Sequence, residues 1–411
     1  MRCVSRFRTV ALLLLVSGVL ACPSSVGPVD AGFKADADSG RAPVDAGGSG
    51  IVLPRRDDAG IDSGTLLSDA GVSGLPFAFV GGYSGGISVY RMSLDSGTLT
   101  FAHSVAAEQP SFLALSPNHR FLYSVAEAAS GQVQAFALDS STGALKALGA
   151  ASSEGTQPAH VSVDATGRWV LVANYGSGTV AVLPAYPDGG LGNSVSTKSP
   201  GANAHFIHTD ATNAFAFVPC LGSDLVAQYL FNESTGALTE NAVPTLGTDA
   251  NAGPRHLAFH PTLPNAYLLD ETASLVSTLA LDRVQGRLTV KQTQTTLPVG
   301  FSGTNTGGEV QVHPNGKFVY ASNRGANDLA IFKVSASDGM LTLSKHVVTG
   351  GATPRHFSID PTGAYLYVAN QGSNTVTGFR VNAETGDLTS LGKVADFTSP
   401  SFVQVFELTA P

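Results

Sequence analysis

The sequence predicts an all-β protein whose folded region is a seven-bladed β-propeller closed into a ring. Three observations predict this fold. Segments of one kind recur every 45–53 residues, each repeat holds four short apolar runs separated by turns, and helical periodicity is missing after residue 30. The repeats align on seven positions, which are Pro110, Pro158, Asn203, Pro254, Gly307, Pro354 and Pro400.

Each repeat follows one plan, which the segment from Gly307 illustrates. "GGEVQVHP" alternates like an innermost strand, "KFVYASN" is more continuously apolar, and "DLAIFKV" and the run after "DG" supply two further strands. Four short strands in a unit of this length are typical of a propeller blade. Residues 77–105 lack an innermost strand, and "PSFVQVFEL" from Pro400 supplies one. Pairing of the two chain ends therefore closes the ring and removes two exposed sheet edges.

The N-terminal segment predicts export. Arg2, Arg6 and Arg8 precede the apolar run "VALLLLVSGVLA", which is too short to span a bilayer as a stable helix. The run ends in "VLAC", which resembles a bacterial lipobox and predicts that residues 1–21 are a lipoprotein signal peptide and that Cys22 is lipidated. An ordinary secretory signal is the alternative. We expect a protein lipid-anchored to the bacterial cell envelope, in the periplasm or at the outer surface.

Residues 22–74 predict a disordered acidic tether, and residues 75–411 the propeller. The tether is rich in Asp, Ala, Gly, Ser and Pro, with "DAG" repeated four times, so it buries too little apolar surface to offset its ordering entropy. The net charge of −8 and the lack of a basic cluster beyond the first residues exclude nucleic acid as a partner. We expect a monomer that contacts the membrane only through its lipid. Cys220 is expected to be a buried apolar residue rather than a nucleophile.

Polar residues recur at fixed places in the repeat. The position two after each alignment point predicts a ring near the propeller axis, since the blades are related by rotation. The next position back carries Arg255 and Arg355, and the end of the second strand carries Glu127, Glu271 and Arg324 besides two asparagines. The predicted ring consists of Phe112, His160, His205, His256, Glu309, His356 and Phe402.

Two interpretations of these residues are open. The histidines are either a structural consensus between blades or part of a site. A permanently charged Arg near a narrow axis needs an anionic partner, which is either a Glu within the ring or a bound ligand. The residues show no close zinc-type spacing and no G-x-S-x-G elbow, so we expect no metal, no cofactor and no serine nucleophile.

The motifs "GPRHLAFHP", "KFVYASNRG" and "TPRHFSIDPTGAYLYVANQG" resemble those of the seven-bladed propeller lactonases, which include the bacterial propeller-type 6-phosphogluconolactonase and the fungal carboxymuconate cyclase. The resemblance covers about residues 77–406. It implies a metal-independent lactone hydrolase and catalytic roles for Arg255, Glu271, Arg324 and His205, with either Glu271 or His205 as general base. Substrate-binding roles are expected for His256, Glu309, His356, Arg355, Glu127 and His160.

The function expected from these observations is that of an exported, lipid-anchored, 6-phosphogluconolactonase-like hydrolase acting on a small anionic sugar lactone that carries a carboxylate or phosphate. The alternative is a non-catalytic surface propeller that binds a small anion or a protein partner, because propeller folds host both kinds of function.

Overall fold

The computed structural model describes residues 74–409, which form a ring of seven four-stranded antiparallel sheets. Blade 1 combines both ends of the described chain. Its strands, from the axis outwards, are β28 (Pro400–Thr409), β1 (Gly74–Gly82), β2 (Ile87–Met92) and β3 (Leu99–Val105).

Blades 2 to 7 each run outwards from the axis in chain order. Blade 2 consists of β4 (Leu113–Leu115), β5 (Phe121–Ala126), β6 (Gln132–Leu138) and β7 (Leu145–Ser152). Blade 3 consists of β8 (Pro158–Val163), β9 (Trp169–Asn174), β10 (Thr179–Pro184) and β11 (Ser196–Lys198). Blade 4 consists of β12 (His208–Thr209), β13 (Phe215–Cys220), β14 (Leu225–Asn232) and β15 (Ala237–Gly247).

Blades 5, 6 and 7 have the same plan. Blade 5 consists of β16 (Pro254–Phe259), β17 (Asn265–Asp270), β18 (Leu275–Asp282) and β19 (Arg287–Thr295). Blade 6 consists of β20 (Gly307–Val312), β21 (Phe318–Asn323), β22 (Asp328–Val334) and β23 (Leu341–Val348). Blade 7 consists of β24 (Pro354–Ile359), β25 (Tyr365–Asn370), β26 (Thr375–Val381) and β27 (Leu388–Asp396). Two short 3₁₀ turns, Leu221–Ser223 and Gln371–Ser373, follow β13 and β25.

The predicted fold and its closure are confirmed. β28 pairs antiparallel with β1, with Phe406 opposite Phe77 and Val405 opposite Ala78. Phe77 contributes to the core shared with blade 2, whereas Ala78 and Val405 contribute to the core shared with blade 7. The shared blade therefore seals the ring on both of its faces, as expected from the apolar alternation of the C-terminal strand.

The second strand of each blade lies between two neighbouring blades. All six residues of β9, β13, β17, β21 and β25 are buried, because each side of these strands packs against the next sheet. Tyr320 also donates a hydrogen bond from its hydroxyl to the carbonyl of Gly386 in the following blade, at 3.0 Å. Gly386 has φ +75°, and a Cβ there would lie 2.5 Å from the ring of Phe318. The recurrent "TG" turn is thus a site of close contact between blades.

Two further features bear on the sequence predictions. Cys220 ends β13 with no exposed surface, and burial raises the pKa of its thiol to about 12, so it is an inert core residue. Within residues 74–409, no helix is long and apolar enough to cross a membrane. The predicted signal peptide, Cys22 and the tether lie outside the described residues, except that β1 begins at Gly74.

Candidate active site

The polar residues at one mouth of the axial channel form three tiers, each drawn from one repeat position of all seven blades. We define them from the strand register, in which Pro254 pairs with Asp270 and His256 with Leu269. The inner tier, at the position of His256, consists of Phe112, His160, Phe206, His256, Glu309, His356 and Phe402.

The middle tier, one residue earlier, consists of Ser111, Ala159, His205, Arg255, Gly308, Arg355 and Ser401. In blades 3, 5 and 7 the strand register shifts at this position, so the residue there bulges out of the ladder.

The outer tier follows the second strand of each blade. Its seven backbone N–H groups all donate to the carbonyl of the residue that lies two before the middle tier, as Glu271 does to Gly253 at 2.6 Å and Gln371 to Thr353 at 2.9 Å. This repeated bond holds the seven side chains at one level of the mouth. They are Tyr83, Glu127, Tyr175, Leu221, Glu271, Arg324 and Gln371.

The inner tier closes the channel with packed rings. The ring of His160 lies between those of Phe112 and Phe206, at centroid distances of 4.3 and 4.2 Å. His356 packs on Phe402 at 4.5 Å. A separate cavity of about 410 Å³ lies along the innermost strands on the far side of this layer. His160 lines that cavity and not the spaces at the mouth, and its contact with substrate stays a prediction.

The polar atoms of the inner tier bind one another. Glu309 Oε2 accepts a hydrogen bond from His256 Nδ1 at 2.9 Å, and His356 Nε2 lies 3.1 Å from the same oxygen. Val403 N–H donates to His356 Nδ1 at 3.4 Å, and Arg255 Nη1 donates to His256 Nε2 at 3.1 Å. Burial lowers the pKa of His256 far below its usual value and that of His356 to about 4, so both imidazoles are neutral. Glu309 thus holds His256 in place, and His256 supports the guanidinium of Arg255.

Arg255, Glu271 and Arg324 form one charged cluster in the middle and outer tiers. Arg255 is 2 % exposed; its Nε donates to Glu271 Oε2 at 2.7 Å and its Nη1 to the Gly308 carbonyl at 2.5 Å. Arg324 Nη2 lies 2.8 Å from Glu271 Oε1, but the angle is poor for a hydrogen bond, and Nε has no acceptor within residues 74–409. Burial favours a raised pKa for Glu271, yet Arg255 and Arg324 more than offset it, and the pKa is lowered.

Arg355 has a different environment. Its guanidinium lies 5.5 Å from the centre of the Tyr83 ring, and the Tyr83 hydroxyl donates to Glu127 Oε2 at 2.8 Å. Among the described residues, no carboxylate comes within the 4.0 Å of an ion pair with Arg355. Burial raises the pKa of Tyr83 to about 12, so the phenol stays protonated. Arg355 therefore brings to the mouth a positive charge that has no ion-pair partner among the described residues.

His205 faces the same space. It is 4 % exposed, its ring centre lies 5.6 Å from that of Tyr175, and its Nδ1 has no hydrogen-bond partner in the described part of the chain. Burial, followed by the charge of Arg255, holds the pKa of His205 well below its usual value, so the ring is neutral. The cavity at the mouth measures about 190 Å³ and is lined by Glu127, Ala159, Tyr175, His205, Glu271 and Arg355.

The structure corrects the sequence alignment in blade 4. The sequence predicts His205 at the position of His256, but Ala204 pairs with Cys220 and His208 with Phe217, which puts Phe206 in the inner tier and His205 beside Arg255 in the middle tier. The alignment failed because Asn203, with φ +54°, takes the left-handed position that Gly253 holds in blade 5.

Sequence analysis also missed part of the outer tier. The asparagines that it placed at the strand ends, Asn174 and Asn370, lie one residue before this tier. Tyr175 lines the 190 Å³ cavity, and Tyr83 lines a smaller space together with Arg255 and Arg355. Counting from the last residue of each second strand would have found them. Within residues 74–409, no cluster of His, Cys, Asp or Glu is arranged to hold a metal ion.

Seven sheets in a closed ring define a β-propeller, and its arginines gather at one mouth of the channel. The family model described as "Lactonase, 7-bladed beta-propeller" matches residues 77–405, and the chain belongs to this family.

Curated relatives and solved structures agree with this membership. The chain is 35 % identical over 274 residues to a 6-phosphogluconolactonase of Pectobacterium carotovorum, covering 66 % of this chain and 81 % of that protein. It is 32 % identical over 293 residues to a 6-phosphogluconolactonase of Bacillus subtilis, covering 68 % and 83 %. A solved periplasmic gluconolactonase of Pseudomonas aeruginosa superimposes with a TM-score of 0.77 at 27 % identity, covering 81 % of this chain and 99 % of that one.

Proposed function

We propose that this protein is a lactone hydrolase of the 6-phosphogluconolactonase kind, acting on a sugar lactone that carries a phosphate or carboxylate. The observation that carries the proposal is the convergence of three guanidinium groups and a neutral histidine at one small mouth. The names of the relatives support the same reaction class, since proteins called 6-phosphogluconolactonase match most of the propeller.

The hydrolysis follows from the chemistry of these groups. Water attacks the carbonyl carbon of the lactone while a base takes one of its protons, and the carbonyl oxygen becomes an oxyanion. The guanidiniums of Arg255 and Arg324 stabilise that negative charge in a site largely shielded from solvent. The bond from the carbonyl carbon to the ring oxygen then breaks, and the ring oxygen takes the proton back from the base. The product is an open-chain hydroxy acid, which ionises to its carboxylate.

His205 fits the role of base better than Glu271. Both carboxylate oxygens of Glu271 already face guanidiniums, at 2.7 and 2.8 Å, so neither is free to take a proton from water. His205 lines the mouth, its Nδ1 has no partner among the described residues, and burial keeps the ring in the neutral form that can accept a proton. We therefore assign proton transfer to His205 and the alignment of the two arginines to Glu271.

Initial rates with 6-phosphoglucono-1,5-lactone and glucono-1,5-lactone, corrected for spontaneous hydrolysis, test the proposal. We expect turnover by the purified protein and a loss in kcat of about 100-fold or more in His205→Gln, the usual size of a general-base contribution. His208→Gln is the matched control, because His208 lies on the same stretch of chain but lines the cavity beyond the inner tier. No turnover, with melting still raised by 6-phosphogluconate, would instead favour a binding protein.

We propose also that the protein is exported and lipid-anchored through Cys22. The arginine-flanked apolar leader and its "VLAC" end support this, as does the periplasmic location in the name of the Pseudomonas aeruginosa neighbour. Expressed in a bacterium, the protein should remain with the membrane fraction in high salt, whereas Cys22→Ser should be released or stay uncleaved. Retention of an otherwise normally processed Cys22→Ser protein in the membrane would contradict the lipid anchor.

A further inference from the structure

We propose that Arg355 is the specificity-determining residue that binds the phosphate or carboxylate of the substrate, while Arg255 and Arg324 act on the reacting carbonyl. This inference rests on the proposed function. It gives the binding of the anionic group and the stabilisation of the reacting carbonyl to different arginines.

The charges at the mouth are distributed unevenly. Glu271 lies within 2.8 Å of both Arg255 and Arg324, so these three side chains carry a single net positive charge between them. Three of the five N–H donors of Arg255 are already taken, by Glu271, Gly308 and His256. A cluster fixed in this way suits a developing oxyanion, which needs a few rigid donors rather than a full counter-charge.

Arg355 has the opposite properties. It is half-buried, has no ion-pair partner in the described part of the chain, and rests against the Tyr83 ring at 5.5 Å. A planar guanidinium held on an aromatic face keeps its outer edge available for two parallel hydrogen bonds to a phosphate or carboxylate. Because the neighbouring arginines repel it, a bound anion would relieve an unfavourable charge in the free site.

The repeat explains why Arg355 lacks an acid. Arg255 and Arg355 occupy the same middle-tier position in blades 5 and 7, and both follow a proline paired with the end of the second strand. The outer-tier residue that follows is Glu271 in blade 5 and Gln371 in blade 7. The carboxylate that neutralises Arg255 is thus replaced by an uncharged amide at the equivalent repeat position of blade 7, where Gln371 Nε2 donates to Ser399 Oγ at 3.5 Å.

Glu127 and His205 orient the anion within the cavity. Glu127 lines the same 190 Å³ space and would repel an anion, but its carboxylate is turned to the Tyr83 hydroxyl at 2.8 Å. His205 is nine-tenths buried and lines this space, and its buried Nδ1 has no partner in the described part of the chain. A substrate with its anionic group on Arg355 would therefore extend its lactone ring towards His205 and the cluster around Glu271.

The test compares kcat/KM for a phosphorylated lactone (6-phosphoglucono-1,5-lactone), a carboxylate-bearing lactone (muconolactone) and a neutral lactone (glucono-1,5-lactone). We expect Arg355→Met to lower the ratio of charged to neutral kcat/KM by about 10- to 100-fold, mainly through KM, as for a lost hydrogen-bonded charge. Gln371→Glu should lower the same ratio by about 10-fold while leaving Arg355 in place, because it supplies the internal carboxylate of blade 5. The phosphate and carboxylate arms identify which anion is preferred.

Several outcomes would overturn the assignment. Arg355 does not recognise the anionic group if Arg355→Met lowers kcat/KM equally for charged and neutral lactones. The same conclusion follows if Gln371→Glu leaves the ratio of charged to neutral kcat/KM unchanged. If Arg355→Met fails to fold, Gln371→Glu decides alone. The failure of the proposed function looks different: the wild type would hydrolyse none of the lactones. In that case melting with 6-phosphogluconate still tests Arg355, and an anion-induced rise that persists in Arg355→Met refutes the assignment.

Discussion

Blades 5 and 7 begin with the same three residues and differ at the two positions that face them. In blade 5, the second strand behind the Pro-Arg-His motif of Arg255 ends at an Asp-Glu pair. In blade 7, the second strand behind the Pro-Arg-His motif of Arg355 ends at an Asn-Gln pair. The strand register is the same, since each proline pairs with the last residue of its second strand. Carboxylates have been exchanged for amides of nearly the same shape.

The exchange shows that the arginine motif alone does not determine the role of the arginine. In blade 5 the carboxylate of Glu271 fixes Arg255 in a buried ion pair, and the side chain is 2 % exposed. In blade 7 the amide of Gln371 leaves Arg355 half-buried and without an acid among the described residues. One position in the outer tier thus separates a fixed arginine from one that is free to meet a ligand.

The largest effect expected from this comparison is a difference in stability between two alanine variants. Arg255→Ala takes one of two arginines from the carboxylate of Glu271 and leaves the Gly308 carbonyl and His256 Nε2 without their donor, so it should reduce the free energy of unfolding by about 3–5 kcal/mol. Arg355→Ala leaves no acid unpaired and relieves repulsion, so its change should stay within about 1 kcal/mol. Urea unfolding of both variants at pH 7 measures the difference. Equal destabilisation by the two substitutions would show that Arg355 also has a structural partner.

Much of the fold was accessible from the sequence because the repeat is strong. The 45–53-residue spacing and the unpaired strand at each end gave seven blades and their closure, both of which are confirmed. The residues Arg255, Glu271, Arg324 and His205 were also named, and the structure brings them together at one mouth. Repeat position predicts the common level of Arg255, Glu271 and Arg324, because rotation carries equivalent residues to the same end of the ring, and the family resemblance predicts their roles.

The assignment of residues to tiers was harder to predict from the sequence. An alignment error of one residue moves a side chain to the neighbouring tier, where it has different contacts. In blade 4 that shift moved His205 from the inner tier to the middle tier, where it meets Tyr175 instead of packing among the phenylalanines. The pairing of Arg255 with Glu271, and its absence for Arg355, depends on side-chain contacts that a linear pattern does not contain. Which arginines are free is therefore a property of the folded ring.

The first residue of the exchanged pair is Asp270 in blade 5 and Asn370 in blade 7, and its substitution should change the stability less than Arg255→Ala does. Asp270 is buried, with no partner for its Oδ1, whereas Asn174 and Asn323 donate from Nδ2 at the same position to the carbonyls of Ser153 and Thr296, at 2.7 and 2.6 Å. Thr248, which matches Thr296 in the repeat, also has an unpartnered hydroxyl within the described residues. Burial, together with two nearby aspartates, raises the pKa of Asp270 to about 7.

Asp270→Asn should therefore stabilise the protein, and more so as the pH rises. An acid whose pKa is higher in the folded state than in the unfolded state destabilises the fold when it must ionise, so wild-type stability falls as the pH rises from about 4 to about 7. The uncharged amide avoids this loss and gains an acceptor in the Thr248 carbonyl. We expect a gain of about 2–4 kcal/mol at pH 8, shrinking towards pH 4, from unfolding measured at both values.

The reverse substitution, Asn370→Asp, is the control that links this prediction to the comparison of blades 5 and 7. It introduces the carboxylate of blade 5 where Asn370 donates to Thr377 Oγ1 at 2.9 Å, and it should destabilise the protein more at pH 8 than at pH 4. A pH-independent effect of both substitutions would mean that the carboxyl of Asp270 is ionised or solvated in the folded ring. The difference between the blades would then rest on Glu271 and Gln371 alone, and the free charge of Arg355 would depend on that single position.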